Sequence, residues 1–288
     1  MFETLLKKIT KESSQNFDIA SNNLTEFINK EKKFIELIKQ IGTIPESIPH
    51  DSTEEKLFSK ASDAVLARAF RELGLKASVI KERADTADVI AKSQYFGYTL
   101  VADAKAFRLS RTAKNQKDFK VSALSCWRKD SEYAVLCGPY FQYPKTGSQI
   151  YSQAIDNNVC LLSWEHILFM IKKNIKETER VNMSAIWGFS GDYAKKIIAA
   201  NQKKCFLKDF SNTLTSIFNY NINDFELLLN MQKSTIRERA QTEKAFWENE
   251  KKIISAYSKG KAIRELIATK KINEKIKQID DHIARFSI

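Results

Sequence analysis

Glycine and proline are scarce in this chain, eight and four among 288 residues, which leaves little room for flexible linkers or low-complexity tracts. Cysteine is as sparse: Cys126, Cys137, Cys160 and Cys205 show no CxxC spacing. A disulfide framework is therefore not indicated, and these are read as reduced thiols of a cytoplasmic protein. Three scattered histidines, His50, His166 and His282, argue against a zinc site. No run of about 18 apolar residues exists, so no membrane span or membrane partner is expected. The opening residues, Met1 to Lys8, lack the apolar stretch of a secretory signal. No GxGxxG or GxxxxGK[ST] loop occurs, which disfavours dinucleotide or ATP binding. No internal repeat of fixed period is found.

What the chain has in quantity is positive charge. The net charge is +12, a balance suited to a polyanion, with nucleic acid ahead of a membrane surface. The excess is concentrated. Residues 104–129 hold Lys105, Arg108, Arg111, Lys114, Lys117, Lys120, Arg128 and Lys129 against one acid, Asp118, a local excess of +7. The first six recur every third residue, and on an α-helix steps of three drift by about 60° each. One continuous helix would scatter them round its cylinder, so a strand end, a loop and a helix start are expected here.

Apolar residues make up 43% of the chain, enough for one large domain or a core with a helical appendage. Residues 16–41 read as one amphipathic helix, broken by Gly42, Pro45 and Pro49. Asp51-Ser52-Thr53 offers an N-cap for a second helix, with Leu57, Ala61, Val65, Ala69 and Leu73 on one stripe and Gly74 at its end. Thr86–Ala91 and Tyr98–Lys105 form a hairpin around Gln94-Tyr95-Phe96-Gly97. A helix is expected over Lys117–Trp127. Tyr133–Cys137 and Val159–Ser163 are apolar runs of the kind found in strands buried on both faces. Ser148–Ile155 and Trp164–Ile175 read as helices, and beyond residue 200 the pattern is helical throughout. This order predicts an α/β protein whose mixed β-sheet is flanked by helices, with a helical C-terminal region. The expected organisation is an N-terminal helical region 1–50, a core 51–180, and a region 181–288 that caps the core or supports a dimer.

A symmetric hairpin makes paired positions sum to 191, setting Asp88 opposite Asp103, with Lys105 two residues on and on the same face. Opposed carboxylates on a half-buried sheet repel unless something positive lies between them. Hard oxygen ligands of this type suit magnesium or calcium-like ions. The (D/E)xK triplet alone is weak: five occur, at Glu31, Glu54, Asp103, Asp118 and Glu250. Asp103/Lys105 alone sits on an apolar strand facing another acid. Glu55, one turn into the second helix, is a supporting candidate, although an acid there also suits the helix dipole. Within 106–121, Asn115, Gln116 and Lys117 have the chemistry to read adenine and guanine edges, and Ala113 or the Thr112 methyl could meet thymine. An exposed polar loop would use the same residues.

At these residues the chain resembles the HindIII family of type II restriction endonucleases, in the PD-(D/E)xK superfamily. The long run Leu100 to Val121 carries the resemblance, with Glu55 to Ala61, Asp88 to Ala91, Phe141 to Pro144 and Ser163 to His166 in the same order. The C-terminal third matches more loosely. The resemblance implies a restriction-endonuclease-like core, Mg²⁺ dependence, a homodimer, and double-strand DNA cleavage within AAGCTT leaving 5′ overhangs. It assigns Asp88 and Asp103 as catalytic metal ligands and Lys105 as the signature lysine. Ala87 stands where the signature nominally has proline, a departure that removes no ligand. Base reading carries over to Asn115 and Lys117, with Asp118 near them. The expected DNA-binding set is Arg108, Arg111, Lys114, Asn115, Gln116, Lys117, Asp118 and Lys120. A companion DNA methyltransferase would have to protect the host. The alternatives are a structure-directed repair or junction nuclease of the same fold, and a non-enzymatic DNA-binding protein.

Overall fold

A computed structural model of the chain describes residues 1–81, 86–111, 116–144, 148–196 and 205–284; the side chains of Gln116 and 282–284 lie outside this description. The N-terminal third is helical: α1 (Phe2–Glu12), α2 (Phe17–Lys30), α3 (Phe34–Ile38) and α4 (Thr53–Glu72). The helix expected over 16–41 is split, because Glu31 leaves the helical conformation at φ −71°, ψ 120°.

The Ser52 hydroxyl caps α4, accepting from the Glu55 amide at 3.1 Å. Gly74 ends the helix at φ +90°, with the Glu177 carbonyl only 2.5 Å from where a Cβ would sit. Both the conformation and the close approach require glycine. Eleven of the fourteen side chains from Leu57 to Phe70 are buried, so α4 is a central helix, packed across β1 (Lys76–Val79), β2 (Val89–Lys92) and β3 (Thr99–Ala104).

The hairpin between β2 and β3 forms as the sequence predicts. Ser93 donates its amide to the Tyr98 carbonyl at 2.9 Å, and its hydroxyl accepts from the Phe96 amide at 2.8 Å. Gly97 takes φ +75° in the turn. Val89↔Ala102, Ile90↔Val101, Ala91↔Leu100 and Lys92↔Thr99 pair antiparallel, every pair in the expected register. β1 was not anticipated; it is a short edge strand, antiparallel to β2.

After α5 (Gln116–Phe119) and α6 (Val121–Trp127) come β4 (Tyr133–Gly138), α7 (Gln149–Asp156) and β5 (Val159–Ser163). Lys120 at φ +51° divides the helix expected over 117–127. β3, β4 and β5 run parallel, so the five-stranded sheet β1-β2-β3-β4-β5 is mixed. The Tyr143 hydroxyl donates toward the Leu162 carbonyl at 2.8 Å. α8 (Trp164–Lys172) follows β5 directly, capped by Ser163 and His166. His166 is buried between Ser163 and Ser211, and burial lowers its pKa to about 3, so it stays neutral.

The remaining helices are α9 (Ser184–Trp187), α10 (Phe189–Lys196), α11 (Phe206–Ile217), α12 (Ile222–Ser255), α13 (Lys259–Thr269) and α14 (Ile272–Ala284). The chain forms two compact units, Met1–Arg239 and Ala240–Ile288, so the border expected at 180/181 falls inside the first unit.

Candidate active site

Asp103 is on β3 and 2% exposed. Asp88 stands one residue before β2, and its amide donates to the Ala102 carbonyl at 3.2 Å. The ladder thus delivers Asp88 beside Asp103, as the register of 191 requires, and the two carboxyls hydrogen-bond each other. α4 adds a third acid, Asp63, 3% exposed. Ligand oxygens of Asp63, Asp88 and Asp103 all lie within 4.8 Å of one another.

Two lysines serve the three acids. Lys105 Nζ donates to Asp103 Oδ2. Lys60, one turn before Asp63, donates to Asp88 Oδ1 at 2.8 Å and Asp63 Oδ2 at 3.3 Å. With every group ionised the cluster would carry one net negative charge in a largely buried place.

The acids titrate accordingly. Burial, with the neighbouring Asp88 charge, raises Asp63 well above the usual carboxylate range despite Lys60. Burial likewise pushes Asp103 up to about 6, with Lys105 opposing and Asp88 adding to the rise. Burial also works to raise Asp88, but its bonds from Asp103 and Lys60 outweigh it and the pKa falls below its ordinary value. The cluster therefore holds a proton that a free carboxylate would release. Three convergent carboxylates, two of them resisting ionisation, are a donor set that fits a hard divalent cation.

Glu55 does not join this cluster. It stands eight residues before Asp63 on α4, about 12 Å along the axis at 1.5 Å per residue. One of its oxygens accepts from Arg108 at 2.7 Å and the other from the Asp51 amide at 2.8 Å. Arg108, expected to meet DNA, is 4% exposed and turns inward, donating also to the Pro45 carbonyl at 2.6 Å. Around it the chain after β3 is fastened to the loop before α4. Phe107 donates its amide to Gly42 at 3.0 Å, and Glu46 accepts from the Ser110 amide at 3.1 Å and hydroxyl at 2.9 Å.

Arg111 pairs with Asp118, and the rings of Phe107 and Phe119 meet at 5.2 Å. These contacts tie together the two ends of the segment expected to read bases. Lys117 and Lys120 are exposed, and Lys120 Nζ lies 6.0 Å from the Trp127 ring. Lys114 and Asn115 lie outside the described residues, as does the Gln116 side chain.

Asp63 and Lys60 went unrecognised in the sequence. The available signal was an acid inside Ala61-Ser62-Asp63-Ala64-Val65-Leu66-Ala67, a run too apolar for a solvent-facing carboxylate.

Residues 4–282 match the model of the HindIII restriction endonuclease family. The type II restriction enzyme HindIII of Haemophilus influenzae (strain Rd) is 43% identical over 283 residues, which span 98% of this chain and 94% of that protein. Among solved structures, the small subunit of the heterodimeric restriction endonuclease R.BspD6I is similar at TM-score 0.40 and 10% identity, over 64% of this chain and 99% of its own. Restriction endonuclease FokI is similar at TM-score 0.35 and 13% identity, over 58% and 32%. The latter two are too remote to bear on activity. The weight rests on the full-length match: the chain belongs to the HindIII restriction endonuclease family.

Proposed function

We propose that this chain hydrolyses DNA phosphodiesters on both strands of the palindrome AAGCTT as a Mg²⁺-dependent homodimer, leaving 5′ overhangs. The observation that carries the reading is the cluster of Asp63, Asp88 and Asp103 with Lys60 and Lys105 bonded to it. Asp63, Asp88 and Asp103 are the residues that would hold Mg²⁺. Bound there, the ion would supply a polarised phosphate and a more acidic water.

The chain's own groups do the rest. Asp103 and Asp88 are fixed by adjacent strands and Asp63 by a central helix, so their oxygens converge before substrate arrives. Lys105 brings an ammonium to the same face, where it can donate to the attacking water or to a non-bridging phosphate oxygen as the P–O bond to the leaving sugar oxygen breaks. Arg111 and Lys120 supply cations for backbone phosphates. Asn115, with Lys114, Gln116, Lys117 and Asp118, is assigned to base edges in the major groove. Arg108 acts through Glu55 as a strut beneath that segment.

The homodimer follows from symmetry, since a C2 pair presents one site to each strand of a palindrome. The second unit supplies a surface for it. Within residues 240–281 no apolar side chain is buried, and Ile253, Ile254, Ile263, Leu266, Ile276 and Ile279 are exposed. A unit of that size without a core needs an apolar partner to persist. A DNA methyltransferase that modifies the same site is the required companion in the host. Among the described residues no helix is long and apolar enough to cross a membrane.

Digestion of a fully sequenced phage genome tests this. Discrete fragments ending at every AAGCTT, abolished by EDTA, are expected. Smears, branch-only cutting or intact DNA would contradict it.

A further inference from the structure

Lys60 lies outside the (D/E)xK triplet, yet it makes more contacts with the acids than the triplet's lysine does. Its Nζ bridges Asp88 at 2.8 Å and Asp63 at 3.3 Å, whereas among the described residues Lys105 Nζ donates to Asp103. It also has a way out. Its side chain keeps 29% of its surface and lines a groove of about 720 Å³ that reaches from Asp88 along α2, past Ser21, Asn22 and Thr25, to Arg71 and Lys81. The ammonium therefore faces two anionic destinations: the buried carboxylates on one side, and on the other an open channel whose wall carries Arg71 and Lys81 against one further acid, Asp18, where a DNA phosphate would be accepted.

We propose that Lys60 is a positioning residue that exchanges partners. In the metal-free protein it acts as resident counter-ion between Asp63 and Asp88. When a divalent cation is held by the acids, the ammonium is repelled from them and turns into the groove to grip a phosphate of the strand being cut. An ammonium and a divalent cation cannot both neutralise the same two oxygens at close range without mutual repulsion, which at 4 Å is several-fold stronger in a partly buried site than in water. A phosphate in the groove relieves that repulsion by giving Lys60 another partner. Cation binding and DNA binding then reinforce one another, and linkage makes the effect reciprocal.

The inference rests on the reading of Asp63, Asp88 and Asp103 as cation ligands, and calorimetric titration with Ca²⁺ separates the two. In wild type, Ca²⁺ should bind weakly alone and about tenfold more tightly with an AAGCTT duplex present. Lys60→Met should bind Ca²⁺ alone at least about tenfold more tightly than wild type, and the duplex should add little. Lys60→Arg should restore the wild-type pattern. In EDTA, Lys60→Met should also melt below wild type, because Asp63 and Asp88 lose their counter-ion. Lys60→Gln gives the same reading if the Met variant does not fold. Unchanged or weaker Ca²⁺ binding by Lys60→Met or Lys60→Gln in a protein whose wild type binds Ca²⁺ would overturn the exchange. Absence of Ca²⁺ binding in wild type, with or without the duplex, would instead sink the ligand reading itself.

Discussion

Removing the charge of Asp103 should stabilise this enzyme while destroying its activity. The folded-state pKa of Asp103 is about 6 against an ordinary value of 3.8. The folded protein thus holds that proton more tightly than the unfolded chain does. Stability is lost as pH rises from about 4 through about 6, and the cost persists above. At 1.36 kcal/mol per unit, the ionised carboxylate destabilises the metal-free fold by up to about 3 kcal/mol. Asn keeps the shape, accepts from Lys105 and donates to Asp88 as the protonated acid does. In EDTA at pH 8, Asp103→Asn should therefore be more stable than wild type by about 1–3 kcal/mol in urea unfolding. The gap should shrink toward zero by pH 4. Adding Mg²⁺ should reverse the order, since a cation at 1,000 times its Kd stabilises wild type by about 4.1 kcal/mol and the variant by little. A variant that is less stable than wild type at pH 8 in EDTA, or a gap that does not change with pH, would refute the electrostatic account of the cluster.

Asp63→Asn should lower the cutting rate at least about 100-fold with duplex binding retained, the scale of losing one charge-placing group; a gel-shift assay beside the digest checks both. Cutting at fixed low Mg²⁺ should fall as pH drops below about 6, where Asp103 takes up its proton and competes with the cation; a rate flat to pH 5 would be inconsistent with that ligand. Arg108→Ala should cost about 3 kcal/mol in stability, because it strands Glu55 and empties a buried cationic site, yet leave the salt dependence of DNA binding unchanged. Lys120→Ala should instead reduce the slope of log K against log salt by about one without affecting stability. Ile276→Asp with Ile279→Asp should shift sedimentation toward a monomer and suppress double-strand cutting; an unaltered dimer would move the interface elsewhere.

The parts of this fold that were legible in the sequence share a local cause. A tight turn at Gln94 to Gly97 fixes the hairpin register, so the meeting of Asp88 and Asp103 could be read by counting residues. Val159 to Leu162 is apolar throughout because both faces of the strand are covered, and the bounds Val159–Ser163 match. Asp63 was missed for a tertiary reason. A single stripe through Leu57, Ala61, Val65, Ala69 and Leu73 implies a helix with a wet side, and Asp63 falls off that stripe. α4 is buried almost all round, which only its position over the sheet reveals. Arg108 shows the converse error: it belongs to a basic run by composition, but Glu55 lies 53 residues earlier in the chain, and no local pattern announces the pair. The break at Lys120 depends on a left-handed residue at a lysine, which sequence chemistry does not flag.

The central claim is that Asp63, Asp88 and Asp103 share one cation. The direct measurement is anomalous diffraction from crystals soaked in Mn²⁺. A peak within about 2.2 Å of an oxygen from each aspartate, the spacing of a small octahedral cation, is the predicted result, and it should vanish in Asp103→Asn. A peak that omits Asp63, or one held by Glu55 in its place, would contradict the site as built here.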